Sequence, residues 1–260
     1  MANKRGTAAQ RRERQRAITE YVNAAASRTV EEIAAQVGIS PMTAYRDIAQ
    51  LEAQGLLRRD YGTVTAAATQ GHEAASAYRM TRDVEAKERL AKAAAELIGP
   101  GSALFMDDSS TGIYLAKLLA DRAGLTVVTN YNPVARVLED AEDVRLLATG
   151  GVYERWADAY LGPSAVRMIE GMRADLAFMS ASAIVNGVVY HPTEDLAEIK
   201  RAMLRSAAKK VLYADASKFS RTALHEVVPV SSFDVVILEK ATPAEALEGI
   251  GESVGELILV

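Results

Sequence analysis

The sequence predicts an α/β protein in two parts, a small helical head followed by a larger domain built on a mainly parallel sheet. Three observations carry this prediction. A helix stop and a helix start fall within Val37-Gly38-Ile39-Ser40-Pro41, between two short amphipathic segments. From about residue 84 onward, amphipathic stretches alternate with short apolar runs, as strands separated by helices do. Charge also divides along the chain, since residues 1–65 hold ten Lys and Arg against seven Asp and Glu while the whole chain has a formal net charge of −4. With 260 residues, 49% of them hydrophobic, there is apolar material for a small domain and a larger one with its own core.

The head can be taken element by element. Residues 4–16 form a basic run, either an arm that touches a polyanion or a solvated tail; its distal half enters a first helix, because Ile18, Tyr21 and Val22 repeat at helical spacing. A second helix over 30–36 buries Ile33, with Val30 and Val37. Gly38 suits the left-handed turn that closes it, Ser40 suits the cap of the next helix, and Pro41 suits that helix's first turn. Over 41–54, Ala44, Ile48 and Leu51 make one core-facing stripe, so Met42, Tyr45, Arg46 and Ala49 face away from it. Residues 55–64, GLLRRDYGTV, read as a hairpin pinned by Leu56 and Val64.

Cap, stripe, turn and hairpin in this order make a winged helix-turn-helix, in which the N-terminal part of the second helix meets base edges in the major groove. The candidate contacts to double-stranded DNA are then Ser40, Pro41, Met42, Thr43, Tyr45 and Arg46 on the helix, with Arg58, Arg59 and Tyr61 on the wing. Arg46 suits either a bidentate bond to guanine or a phosphate. The plainer alternative is a small helical domain with a solvated basic hairpin.

The stretch 65–77, TAAATQGHEAASA, is small, polar and without a stripe. It divides the chain into a head over 1–65, a linker over 66–80 and a second domain over 81–260. Strands are expected at 102–107, 125–129, 144–148, 174–179, 210–214 and 234–238, with helices at 86–98, 110–122, 133–139 and 194–208. Ligands of open parallel sheets bind beyond the carboxyl ends of the strands. There the sequence is polar: Asp107-Asp108-Ser109-Ser110-Thr111 leads into a helix whose N-terminus attracts anions, and Asn130, Gly150-Gly151, Asp215 and Lys218 follow later strands. Ser109, Ser110, Thr111 and Lys218 suit a phosphate, while Asp107 and Asp215 suit sugar hydroxyls. Taken singly, each of these is also an ordinary turn or cap.

Several chemistries are excluded or weakened. The chain has no cysteine, so disulfides, thiolate metal sites and cysteine nucleophiles are excluded. His72, His191 and His225 have no metal-ligand spacing, and neither a metal nor a cofactor is expected. No apolar run is long enough for a membrane span and the N-terminus lacks a signal-peptide core, so a cytoplasmic protein is expected.

SPMTAYRDIAQLEAQGLLRRDYG in the head, followed by FMDDSSTG, VVTNYNP, LATGG, LGP, DLAEIKRAML and YADASKFSRTAL, resembles the DeoR family of bacterial sugar-metabolism regulators. The resemblance implies a sensor domain similar to ribose-5-phosphate isomerase, which binds a phosphorylated sugar and thereby alters DNA affinity; most members are repressors. It implies that residues 107–111 are the family's DSGTT-type loop, with Ser109 in place of glycine. Residues 197–200 then match the EAEVK-type helix, making Glu198 and Lys200 candidates near the sugar, and 215–219 match the DSSKF-type turn. Tyr45 replaces a common arginine of the family's recognition helix. A homodimer or homotetramer is expected, because one head contacts few bases. The rival is a sugar-phosphate isomerase with a DNA-binding head, but Ser180-Ala181-Ser182-Ala183 offers no acid where related isomerases carry an acidic cluster.

Overall fold

The computed structural model describes residues 8–23, 27–53, 56–60, 62–66 and 73–260. Gly55, Tyr61 and residues 67–72 of the expected linker, His72 among them, lie outside the described residues. The chain divides into two compact units, Met1–Tyr78 and Arg79–Val260.

In the first unit, helix α1 spans Ala8–Asn23, strand β1 Arg28–Thr29, α2 Val30–Val37, α3 Pro41–Ala53, β2 Leu57–Asp60 and β3 Thr63–Ala66. A capping box starts α2: the Thr29 hydroxyl accepts from Glu32 N at 3.2 Å, and Thr29 N donates to the Glu32 carboxylate at 2.7 Å. Gly38 ends that helix at φ 70°, the left-handed geometry expected from its place before Ser40-Pro41. Thr43 N then donates to Ser40 Oγ at 3.2 Å, capping α3. Ile18, Val22, Val30, Ile33, Ala44, Ile48, Leu51, Leu56 and Val64 form one buried cluster, with Val37 packed at its margin. The strands pair antiparallel in the order β1-β3-β2.

The second unit opens with the last residue of α4 (Ser76–Arg79) and α5 (Val84–Glu96). It continues β4 (Ala103–Met106), α6 (Ser110–Leu119), β5 (Leu125–Thr129), α7 (Asn132–Leu138) and β6 (Val144–Ala148). A hairpin of β7 (Val152–Glu154) and β8 (Ala159–Leu161) precedes α8 (Pro163–Glu170) and β9 (Ala174–Met179). Then come β10 (Ala183–Val185), β11 (Val188–His191), α9 (Glu194–Arg205), β12 (Ala207–Ala214), β13 (His225–Pro229), β14 (Val235–Leu238), α10 (Ala244–Gly251) and β15 (Glu256–Leu259).

Seven strands make one parallel sheet in the order β15-β14-β12-β9-β4-β5-β6. Its central strands are apolar on both faces, with Phe105, Met106, Phe178, Met179, Val211, Leu212, Ile237 and Leu238 all buried, because helices cover both sides. All six expected strands are present, and β15 adds a seventh at one edge. A separate antiparallel sheet, β10-β11-β13, joins residues distant in sequence.

The chain proceeds from β4 outward through β5 to β6, then returns to the other side of β4 with β9. That reversal is a topological switch point, where the loops after neighbouring strands part and leave a crevice. The loops after β4 and β9 therefore begin at residues 107 and 180.

Gly151 has a structural duty nearby, since at φ 115° a Cβ would lie 2.5 Å from the Leu161 carbonyl oxygen. Gly151→Ala is expected to lower stability by about 2 kcal/mol or more through overpacking and backbone strain, read as a fall in the urea midpoint at unchanged slope.

Candidate functional site

Each unit carries its own set of candidate residues. In the first, α3 turns Ala44, Ile48 and Leu51 inward and leaves Met42 63% and Tyr45 39% exposed. Ser40, Pro41 and Arg46 are exposed beside them, and Thr43 is half-buried with its hydroxyl 2.9 Å from that of Ser40. On the wing, Arg58 and Arg59 are exposed, and Arg59 N donates to Glu52 of α3 at 3.1 Å, fixing wing to helix. Asp47 lies on the inner side of α3, buried and ion-paired with Arg14 of α1. This pair joins residues 33 apart, leaves no local signal in the sequence, and fastens α3 to α1. Cationic side chains on an exposed helix and hairpin are what phosphate-backbone binding requires.

In the second unit, the carboxyl ends of the strands are lined by buried polar side chains: Asp107, Asp108, Ser109, Ser110, Thr111, Asn130, Thr149, Ser180, Lys200 and Asp215. Lys200 Nζ projects from α9 into the switch point and meets the Asp107 carboxylate, with Asp108 Oδ1 at 3.1 Å. Asp107 also accepts from Ser109 N and from Ser180 N, each at 3.1 Å, so one carboxylate ties the loops after β4 and β9 to α9. Burial pushes the Asp107 carboxyl up, although Lys200 opposes it. Asp108 is held well below the usual range because Lys200 and Arg79 together outweigh its burial. Burial likewise opposes the Lys200 charge, but the two carboxylates win and raise its pKa.

Ser109 caps α6, its hydroxyl oxygen accepting from Thr111 N at 3.0 Å and Gly112 N at 3.4 Å. Ser110 and Thr111 follow in the first turn of that helix. Asn130 donates through Nδ2 to Tyr160 O at 3.3 Å, while its Oδ1 is buried with no hydrogen-bond partner among the described residues. Asp215 caps the turn after β12 by accepting from Ser217 N at 3.0 Å, and Lys218 Nζ lies 3.7 Å from its other oxygen. Gly150, at φ 62°, has open space where a side chain would be, whereas Gly151 packs on Leu161.

Glu198 is not brought to this cluster: it is half-exposed on the flank of α9, ion-paired with Arg201 at 3.1 Å and Arg205 at 3.8 Å. Two residues apart on a helix, Glu198 and Lys200 take different faces.

Four further residues lie in or beside the cluster. Arg79 Nη1 donates to Asp108 O at 2.9 Å, and Nη2 lies 3.4 Å from its carboxylate. Lys87 is buried and donates to the carbonyls of Arg79 and Arg82; burial, then the nearby charge of Lys218, pulls its ammonium down to about 8. His191 is buried and accepts from Thr193 N at 3.1 Å. Tyr213 stacks on Phe178, and its buried Oη also has no hydrogen-bond partner among the described residues. A Cβ at Gly112 would lie 3.2 Å from that oxygen, so the glycine makes room for the phenol.

Replacing Lys200 with Met removes the one buried cation between two carboxylates. The expected cost is about 3–5 kcal/mol, the usual result of leaving a buried charge uncompensated, measured by urea unfolding at neutral pH.

Both units match known protein families. Residues 14–70 match the DeoR-like helix-turn-helix domain, and residues 82–240 match the DeoR C terminal sensor domain. A candidate aga operon transcriptional repressor of Escherichia coli O157:H7 is 32% identical over 95% of this chain and 93% of its own length. The transcriptional regulator GlpR of Haloferax volcanii is 31% identical over 95% of this chain and 96% of its own. Among solved structures, ribose 5-phosphate isomerase A from Methanocaldococcus jannaschii aligns with 53% of this chain and 55% of its own at 14% identity, with a TM-score of 0.40. No helix among the described residues is long and apolar enough to cross a membrane. From the two domain matches, in order and over most of its length, the chain belongs to the DeoR family of DNA-binding transcriptional regulators.

Proposed function

We propose that this regulator represses genes of carbohydrate metabolism and that a phosphorylated sugar, bound at the carboxyl ends of the strands in the second unit, controls its affinity for DNA. One observation carries the reading. Polar side chains are concentrated at the switch point of an otherwise apolar sheet, and two of them, Asn130 and Tyr213, have buried atoms with no hydrogen-bond partner among the described residues. Buried polar atoms are ordinarily satisfied, so a polar guest at these strand ends accounts for them.

The chemistry of the guest follows from the residues. Ser110 and Thr111 at the N-terminus of α6, with Lys218 on the turn after β12, suit a phosphate group. Asp215, Asn130 and Gly150 suit hydroxyls and a close backbone approach. Asp107 and Lys200 are engaged with each other and hold the loops around the guest, and Gly151 holds the adjoining chain. Repression and sugar control are also supported by the relatives' names, which include a lactose phosphotransferase system repressor in Lactococcus lactis.

On DNA, Arg46, Tyr45 and Met42 read the major groove from α3, with Ser40, Pro41 and Thr43 at its start, while Arg58, Arg59 and Tyr61 grip the backbone from the wing. A homodimer or homotetramer sets two heads on successive grooves. The sugar phosphate works by favouring one arrangement of the assembly, since a ligand with equal affinity for both would shift nothing.

Two substitutions test the two surfaces. Arg46→Ala is expected to weaken binding to a DNA fragment selected by the wild-type protein by about 1–3 kcal/mol, the worth of a base contact, in a gel-shift titration; undiminished affinity removes Arg46 from the interface. A panel of pentose, hexose and triose phosphates is expected to raise the melting temperature of the wild-type protein, and Lys218→Ala to suppress most of that rise. A full response in Lys218→Ala overturns the phosphate assignment.

A further inference from the structure

Residues 79–82 are the first of the second unit, directly following the chain that leaves the DNA-binding unit. Two cations hold this segment. Arg79 reaches from it to Asp108, bonding both the carbonyl and the carboxylate of a residue beside Ser109 in the loop after β4. Its guanidinium also lies 5.9 Å from the ring of Tyr131, which follows Asn130 in the loop after β5. Lys87 reaches the opposite way, from α5 to the carbonyls of Arg79 and Arg82. The segment where the chain enters the sensor unit is thus fastened to the same loops that present Ser110, Thr111 and Asn130.

We propose that Arg79 is the positioning residue through which the strand-end site acts on the DNA-binding unit. This rests on reading the strand ends as the effector site. An anion at residues 110–111 sits at the start of the helix that follows Asp108 directly, so the loop that takes it up also carries the two Asp108 oxygens that the Arg79 fork spans, and charge-assisted bonds to a fork are directional. The balance of forces on Arg79 changes when the anion arrives. Its backbone is bonded to Lys87, so the change is delivered to residues 79–82. No contact between Arg79 and DNA is involved.

The test compares wild type with Arg79→Gln, which keeps a polar side chain and removes the charge. Three quantities are measured: affinity for a DNA fragment selected from a random library by the wild-type protein, the thermal shift produced by each member of the sugar-phosphate panel, and DNA affinity with the most effective member added. In Arg79→Gln, DNA affinity without sugar phosphate and the thermal shift are expected to stay at wild-type values. The effector-driven change in DNA affinity, normally about 5- to 150-fold for coupled sites, is expected to fall to within about twofold of none. Coupling that survives intact overturns the inference while leaving the effector site standing. A thermal shift lost together with the coupling also overturns it, because Arg79 would then be a ligand contact. A wild-type protein that ignores every member of the panel sinks both the effector reading and this inference. If Arg79→Gln does not fold, Arg79→Lys serves instead, since an ammonium lacks the fork that spans the Asp108 carbonyl and carboxylate; undiminished coupling there overturns the inference as well.

Discussion

The ammonium of Lys200, buried between Asp107 and Asp108, is the constraint around which the second unit is organised. Three charged groups out of water are stable only when they answer one another and when hydrogen bonds occupy the remaining lone pairs. Asp107 meets that demand with the backbone N–H groups of Ser109 and Ser180, and Asp108 with Arg79. The result joins loops from β4 and β9 to helix α9, at the one place where the sheet's topology would otherwise let those loops diverge. Polar loops set against an apolar core need such a frame, because they gain little from packing.

The first unit solves its positioning problem with the same device on a smaller scale. The buried pair of Arg14 and Asp47 sets α3 against α1, while Glu52 fastens the wing to α3. Both bonds leave the outward face of α3 unencumbered, so Met42, Tyr45 and Arg46 stand on a rigid support. Rigid elements carrying exposed polar side chains are the efficient way to present groups to a duplex, since little side-chain or backbone order has to be gained on contact.

What could be read from sequence followed the range of the forces. Gly38, Ser40 and Pro41 were legible because capping is local, and six of the seven strands of the main sheet because each is a short, mostly apolar run. The β7–β8 hairpin and the β10-β11-β13 sheet were not, because VYE, AYL and AIV are too short to show a period and owe their conformation to partners elsewhere. At the candidate site, the polar strand ends could be found from the turns themselves. Arg79 and Lys87 could not, because their partners are distant in sequence or are backbone carbonyls. Lys200 and Glu198 looked alike in the sequence, and only the packing of α9 separates an inward cation from a solvated carboxylate.

Strand β15 has a consequence for how the protein tolerates damage. It pairs along the whole of β14, whose Val235, Val236, Ile237 and Leu238 are all buried. Four residues of modest burial therefore act as a guard rail on a strand that carries no charge of its own. A protease cut ahead of Glu256 would bare an unbroken apolar ladder, the sort of rim on which other chains nucleate. Clumping of clipped molecules, rather than simple loss of the fold, is the failure this arrangement invites.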